Sequence, residues 1–212
     1  MTEKLKGISG SMFAGKTGKV IDLAIRAEYA KKSVLAFKPS IDNRWDMPNF
    51  LVSREKNGKE NKIYPAHSVD SALEIVGIVL ERIKREGHLD YIVIDEAQLF
   101  DNSLVDVVRY LLELDIKVVF AGLATDFRGE PFGPMPTLLA ISDEIERITA
   151  ICDFVDEEGD CCGQEATRTQ REINGKPANY YDPIVVIGDV EYKARCSNHH
   201  IVPGKPKTIY SR

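Results

Sequence analysis

The chain has 212 residues, of which 43% are hydrophobic and 29% charged, and its formal net charge is −5. This balance indicates a globular protein, and the acidic surplus does not favour binding along a nucleic-acid backbone. No apolar run reaches membrane-spanning length, and residues 1–6 lack the apolar core of a signal peptide. We therefore expect a cytoplasmic protein with no nucleic-acid or membrane partner, in which the four cysteines are metal ligands or free thiols.

A phosphate-binding loop with the pattern G-x-x-x-x-G-K-[ST] lies near the start of the chain. It consists of Gly10, Ser11, Met12, Phe13, Ala14, Gly15, Lys16 and Thr17. The glycines let successive backbone N–H groups point at one anion, Lys16 adds positive charge, and Thr17 offers a hydroxyl to Mg²⁺. The alternative is a glycine-containing turn with a solvated lysine. The motif predicts that this loop binds the phosphates of ATP.

Apolar patterns along residues 1–150 predict alternating strands and helices. The expected elements are a strand at 5–8, a helix at 19–31, a strand at 33–37, a loop or hairpin at 41–62 with a turn at Asn57-Gly58, a helix at 68–86, a strand at 91–94, a helix at 103–114 and a strand at 117–122. This alternation indicates an α/β fold with a mostly parallel sheet and helices on both sides.

The composition changes near residue 150, where cysteines, glycines, prolines and short β-type runs such as 184–187 begin. We therefore divide the chain into an ATP-binding α/β domain at 1–150 and a small second lobe at 151–212.

Two acidic residues follow the buried strand expected at 91–94. Asp95 is placed as a Walker B carboxylate would be, so it is expected to hold Mg²⁺ opposite Thr17. Glu96 is suited to orient a hydroxyl and take its proton, although a hydrolase uses a similar acid to position water. The alternative is that both acids merely begin the next helix, where negative charge is favourable.

Several motifs resemble the type II thymidine kinases in the family's order over nearly the whole chain. They are the P-loop, Lys38-Pro39 with Asp42-Asn43-Arg44, DEAQLF at 95–100, GLATDFRGEPFG at 122–133, and the stretch from Ile187-Gly188 to Tyr192. The resemblance implies a RecA-like P-loop sheet and a small zinc-binding β lobe with a lasso-like loop, here 169–192. Ala124 departs from the family, in which many members carry aspartate.

The resemblance also implies residue roles. Glu96 would be the general base. The nucleotide side would include Asp95, Gln98, Asp42 and Arg44. The alternative for Asp42 and Arg44 is a solvated pair in a loop. Phe127 and Phe132 fall in the substrate loop, where an aromatic ring can stack on a pyrimidine, although both could simply be packing residues. The remaining pocket-lining positions are Thr169, Val186 and Tyr192.

The cysteines suggest a structural zinc site. Cys196 and His199 form a C-x-x-H pair, whose spacing suits Zn²⁺. The resemblance adds Cys152 and Cys162, with 153–160 as an insertion between them. Cys161 could replace either of these two, and ordinary free cysteines without metal are the alternative. We expect His200 to be solvated.

These observations predict a thymidine kinase that transfers the γ-phosphoryl group of Mg-ATP to the 5′-hydroxyl of thymidine, and also of deoxyuridine. The resemblance suggests a homotetramer and feedback inhibition by dTTP. Two other functions fit the P-loop: an ATPase module that acts on protein or nucleic acid, and a nucleotide-binding regulator without catalysis.

Overall fold

The computed structural model of the protein describes residues 4–42, 46–54, 60–186 and 191–207. The strands are β1 (Leu5–Ser9), β2 (Val34–Pro39), β3 (Phe50–Val52), β4 (Ile63–Pro65), β5 (His67–Val69), β6 (Tyr91–Ile94), β7 (Lys117–Gly122), β8 (Glu144–Arg147), β9 (Ala150–Ile151), β10 (Glu165–Ala166), β11 (Arg168–Ile173), β12 (Lys176–Pro177) and β13 (Glu191–Arg195). The helices are α1 (Lys16–Tyr29), α2 (Ala72–Glu86), α3 (Ser103–Glu113) and α4 (Met135–Ala140), and a 3₁₀ helix spans Ala97–Leu99.

Six strands form the central sheet, in the order β5-β2-β6-β7-β1-β8. Every neighbouring pair in it is parallel. The carboxyl ends of β1, β2, β6 and β7 therefore meet at one edge, where α/β proteins bind their ligands. This sheet with flanking helices confirms the predicted fold class.

The four central strands, β1, β2, β6 and β7, bury nearly all of their side chains, as strands covered on both faces of a parallel sheet do. On one face, residues such as Phe37, Ile92 and Phe120 pack with α2, α3 and α4. On the other face, Val93 and Val119 pack with α1 and with the hairpin of β3 and β4. The sheet is thus covered on both sides, which holds the loops at its carboxyl edge in place.

Some element boundaries differ from the sequence expectations. Ser68 lies in β5 rather than in the helix, and α2 begins at Ala72 because Ser71 and Glu74 form a capping box at its start. The turn expected at Asn57-Gly58 lies outside the described residues. Strand β8 and helix α4 were not predicted, because neither has a long apolar period.

The chain from residue 150 to residue 207, here called the C-terminal segment, forms small antiparallel sheets. Strand β9 pairs with β10, and β11 pairs with both β12 and β13. The β-type run expected at 184–187 is not a strand in its described part, 184–186. Across the described residues, none of the helices is both long and apolar enough to cross a membrane.

Candidate active site

The P-loop connects β1 to α1 and requires glycine at both of its fixed positions for different reasons. A Cβ atom added to Gly10 would lie 2.4 Å from the carbonyl oxygen of Ile148, so the backbone approach excludes a side chain. Gly15 precedes α1 with a φ of +86°, a conformation that glycine adopts at little cost. The loop therefore directs the N-terminus of α1 towards the carboxyl edge of the sheet, as an anion site requires.

Lys16 is buried and lies across its own loop. Its Nζ donates hydrogen bonds to the carbonyl oxygens of Ser11 at 2.8 Å and Gly10 at 3.2 Å. The ammonium group is thereby held within the concave side of the loop, close to the backbone N–H groups that would receive a phosphate.

Thr17 and Asp95 meet at this edge, as the sequence predicted. The Thr17 hydroxyl donates to Oδ2 of Asp95 at 2.7 Å, although 77 residues separate them in the chain. Asp95 directly follows β6 and is buried. A hydroxyl beside a carboxylate, next to a phosphate-binding loop, is the ligand pair that P-loop proteins use for Mg²⁺.

Glu96 is buried and its backbone has a φ of +50°, which is uncommon for a residue other than glycine. Nε2 of Gln98 donates a hydrogen bond to Oε2 of Glu96, and Oε1 of Gln98 accepts one from the Leu123 N–H at 2.9 Å. A Cβ atom on Gly122 would lie 2.4 Å from that same Oε1. The Gln98 amide thus ties the Glu96 carboxylate to the end of β7.

The third strand end at this edge carries Lys38, which is buried at 2% exposure. Its Nζ lies 3.3 Å from the carbonyl oxygen of Asp42 and 3.4 Å from that of Met47. Asp42 is also buried. Lys38 therefore connects Asp42 with Met47. Arg44 lies outside the described residues.

The substrate loop expected after β7 is tightly packed. Phe127 is only 3% exposed, and the guanidinium carbon of Arg171 lies 3.8 Å from its ring centre. Nε2 of His200 lies 2.8 Å from the Phe127 carbonyl oxygen. His200 is therefore half-buried rather than solvated as expected, and this burial lowers its pKa.

Phe132 lies half-buried at the other end of the same loop, and its N–H donates to the carbonyl oxygen of Ala124 at 3.2 Å. Ala124 thus contributes through its backbone, which any residue type supplies.

The other three substrate candidates lie in the C-terminal segment. Thr169 is buried on β11, opposite Ala194 of β13, and half-buried Tyr192 pairs with Arg171 in the same register. Val186 is exposed at 36%. Strands β11 and β13 pair with each other. Residues 187–190 lie outside the described residues, so the lasso-like loop stays a prediction.

Four potential metal ligands converge in the C-terminal segment. The ligand atoms of Cys152, Cys162, Cys196 and His199 all lie within 4.8 Å of one another. Cys162 Sγ is 3.9 Å from Cys196 Sγ, and Nδ1 of His199 is 3.5 Å from Cys196 Sγ. Zn–S bonds of about 2.3 Å at tetrahedral angles place sulfurs about 3.8 Å apart, so this set fits Zn²⁺.

The surroundings of the cluster support metal binding. Burial opposes ionisation of Cys152, but hydrogen bonds from the backbone of Cys196 and Phe154 and from His199 outweigh it, so the pKa of this thiol is lowered. The Phe154 ring stacks on His199 with ring centres 3.9 Å apart. Cys161 is exposed and is not part of the cluster.

Sequence reasoning missed Arg171. Its side chain is fully buried, and its Nη1 donates a hydrogen bond to the carbonyl oxygen of Pro183. This burial was not predictable from the sequence, because a charged residue in a short polar strand is normally exposed.

The parallel sheet, the P-loop and the Thr17–Asp95 pair define an α/β P-loop protein built to bind a nucleoside triphosphate. A family model described as thymidine kinase matches residues 3–200 of the chain. A thymidine kinase of Coprothermobacter proteolyticus is 42% identical over 207 residues, which cover 97% of this chain and 94% of that protein. Thymidine kinases of Onion yellows phytoplasma and Aster yellows witches'-broom phytoplasma are each 39% identical over 215 residues. These residues cover 98% of this chain and 94% of each relative. The chain belongs to the thymidine kinase family.

Proposed function

We propose that the protein transfers the γ-phosphoryl group of Mg-ATP to the 5′-hydroxyl of thymidine, giving dTMP and ADP. The observation that carries this proposal is the position of Glu96, a buried carboxylate next to the Thr17–Asp95 pair and the P-loop. Membership of the thymidine kinase family supports the nature of the acceptor.

The nucleotide is assigned to the P-loop residues Gly10 to Thr17. Their backbone N–H groups and Lys16 would neutralise the phosphates, and Thr17 and Asp95 would hold Mg²⁺, which supplies further positive charge at the transferring group. The hydrogen bonds of Lys16 to the carbonyl oxygens of the loop support this assignment. We assign Asp42 and Arg44 to the phosphate side as well.

Glu96 is assigned the role of general base. It would accept the proton of the 5′-hydroxyl as that oxygen attacks phosphorus. The hydrogen bond from Gln98 fixes one carboxylate oxygen and so orients the other. Gln98 is therefore better understood as a positioning residue for Glu96 than as a direct contact of the nucleotide, since both ends of its amide bind protein groups.

The acceptor site is assigned to Phe127 and Phe132 after β7 and to Thr169, Val186 and Tyr192 in the C-terminal segment. Phe127 is buried in this structure, so stacking on a pyrimidine requires its neighbours to move. Discrimination between thymidine and deoxyuridine depends on one methyl group, worth about 1–3 kcal/mol, so we expect both to be accepted.

Zinc is assigned to Cys152, Cys162, Cys196 and His199, where a closed four-ligand set would be structural. The division at residue 150, the homotetramer, the inhibition by dTTP and the cytoplasmic location are predictions that rest on the sequence and on the family resemblance.

The test is a panel of nucleosides with Mg-ATP and the purified protein, in which ADP and nucleoside monophosphate are both measured. We expect phosphorylation of thymidine and deoxyuridine. ATP hydrolysis stimulated by DNA or protein, without transfer to any nucleoside, would instead support the ATPase alternative. Nucleotide binding without either reaction would support a regulator.

A further inference from the structure

The P-loop is attached to more than the strand and helix that it connects. The Ser11 hydroxyl donates a hydrogen bond to the carbonyl oxygen of Ala166 at 2.8 Å. The backbone N–H of Met12 donates to the hydroxyl oxygen of Thr169 at 3.0 Å. We call these two contacts the P-loop bridge. They join residues 155 and 157 positions apart in the chain.

Apolar packing follows the same path. Phe13 and Ala14, the next two residues of the loop, pack against a buried cluster that contains Ala166 and the metal-ligand candidates Cys152 and Cys196. Four consecutive residues of the P-loop, 11–14, are thus in contact with the C-terminal segment.

Contacts of this kind change the affinity of a loop for its ligand. A P-loop binds phosphate with backbone N–H groups, so it must hold a narrow set of backbone conformations. A loop fixed in advance loses less conformational entropy when the ligand binds. Ser11 is central here, because its side chain makes the bridge while its carbonyl oxygen accepts a hydrogen bond from Lys16.

We propose that Ser11 and Thr169 are positioning residues for the nucleotide, and that the C-terminal segment sets the phosphate affinity of the P-loop through them. That the ligand is ATP rests on the function proposed above, whereas the role of the P-loop bridge rests on the contacts of Ser11 and Met12. Thr169, assigned to the acceptor pocket by resemblance, thereby also belongs to the nucleotide side.

The test uses the metal-containing full chain and a fluorescent ATP analogue, mant-ATP with Mg²⁺, titrated without nucleoside. Thr169→Val keeps the shape of the side chain and removes the acceptor for the Met12 N–H. Thr169→Ser restores a hydroxyl, and Ser11→Ala removes the other contact. Thr167→Val is the matched control, because Thr167 is exposed just before β11.

We expect Thr169→Val and Ser11→Ala each to weaken mant-ATP binding by about 3- to 10-fold, the range for one lost hydrogen bond. Thr169→Ser and Thr167→Val should bind like the unchanged protein. Hydrogen exchange of the peptide covering residues 10–15 should become faster in Thr169→Val and not in Thr167→Val, and metal content should stay constant.

Unchanged affinity in Thr169→Val with its metal retained would overturn the proposal, as would an equal loss in Thr167→Val. If Thr169→Val loses its metal or unfolds, Ser11→Ala decides by the same criteria, since its change lies within the P-loop. Phosphorylation of thymidine by the unchanged protein is measured alongside. If thymidine is not phosphorylated, the proposed function is contradicted. The role of the P-loop bridge is tested separately, by the mant-ATP affinities of the variants.

Discussion

The sheet and the C-terminal segment are stabilised in different ways. The sheet buries large apolar side chains on both faces, among them Phe37, Ile92 and Phe120, all fully buried. The buried cluster of the C-terminal segment consists of three alanines and two cysteines: Ala150, Ala166, Ala194, Cys152 and Cys196. Burial of large apolar side chains stabilises the sheet, whereas small side chains contribute little. We therefore expect the C-terminal segment to depend on metal binding at its cysteine–histidine cluster and on specific polar contacts.

The sharpest test of this difference is removal of one metal ligand. We expect Cys162→Ser to abolish zinc binding and to unfold the C-terminal segment, because structural zinc contributes on the order of 10 kcal/mol in small domains. Cys161→Ser is the control, since Cys161 is exposed beside the cluster. Metal analysis and limited proteolysis report the outcome, and a reversed order of the two variants would mean that Cys161 is the ligand.

We expect phosphoryl transfer to take place at the carboxyl edge of the sheet, and Glu96→Gln tests this. We expect turnover to fall by roughly 100-fold or more, because the amide cannot accept the hydroxyl proton. Binding of Mg-ATP should persist, as the P-loop is unaltered. Steady-state assays with thymidine and mant-ATP titration measure the two effects, with exposed Glu81→Gln as the control. Undiminished turnover would remove Glu96 from the mechanism.

A cavity in the core of the sheet should lower the stability of the protein without loss of zinc, unlike removal of a metal ligand. Ile75 on α2 is fully buried, so Ile75→Ala should lower the free energy of unfolding by about 2–5 kcal/mol while the zinc content stays unchanged. Leu73→Ala on the same helix is the control, because Leu73 is 65% exposed. Zinc loss in Ile75→Ala before global unfolding would show that the two regions are not stabilised separately.

The two regions also differ in what their sequence reveals. The parallel sheet was predictable because runs such as 91–94 are apolar throughout, and Thr17 and Asp95 follow strands that must end at one edge. The sequence also predicted which four potential metal ligands lie together. The C-x-x-H spacing indicated Cys196 and His199, and the family resemblance added Cys152 and Cys162. In both cases the signal is local in the sequence or belongs to a known motif.

Burial of polar residues was not predictable. His200 and Arg171 have polar neighbours in the sequence, and they are covered because distant segments fold over them: His200 meets the loop of Phe127, and Arg171 meets both Phe127 and Pro183. Such coverage depends on long-range packing, which has no period in the sequence. The same holds for the contact of Met12 with Thr169.

The smallest expected effect concerns the acceptor, where the two regions touch through Arg171. Its guanidinium lies on the Phe127 ring and binds the Pro183 carbonyl oxygen, so it holds the substrate loop against the loop that follows β12. We expect Arg171→Met to raise the KM for thymidine about 10-fold, from loss of one cation–π contact and one charged hydrogen bond. Mg-ATP binding should change little.

The melting temperature of Arg171→Met shows whether Arg171 positions the substrate loop or only fills space in the core. Nη2 of Arg171 lies 3.9 Å from Oδ2 of Asp182, an ion pair that is too long for a hydrogen bond. Among the described residues neither this nitrogen nor Nε makes a hydrogen bond, so burying the charged group is unfavourable. Methionine fills a similar volume without that penalty, so the melting temperature should hardly fall although the KM for thymidine rises. Arg109→Met serves as the matched control, because the Arg109 side chain on α3 is 56% exposed. A large loss of melting temperature with an unchanged KM would instead make Arg171 a packing residue of the C-terminal segment alone.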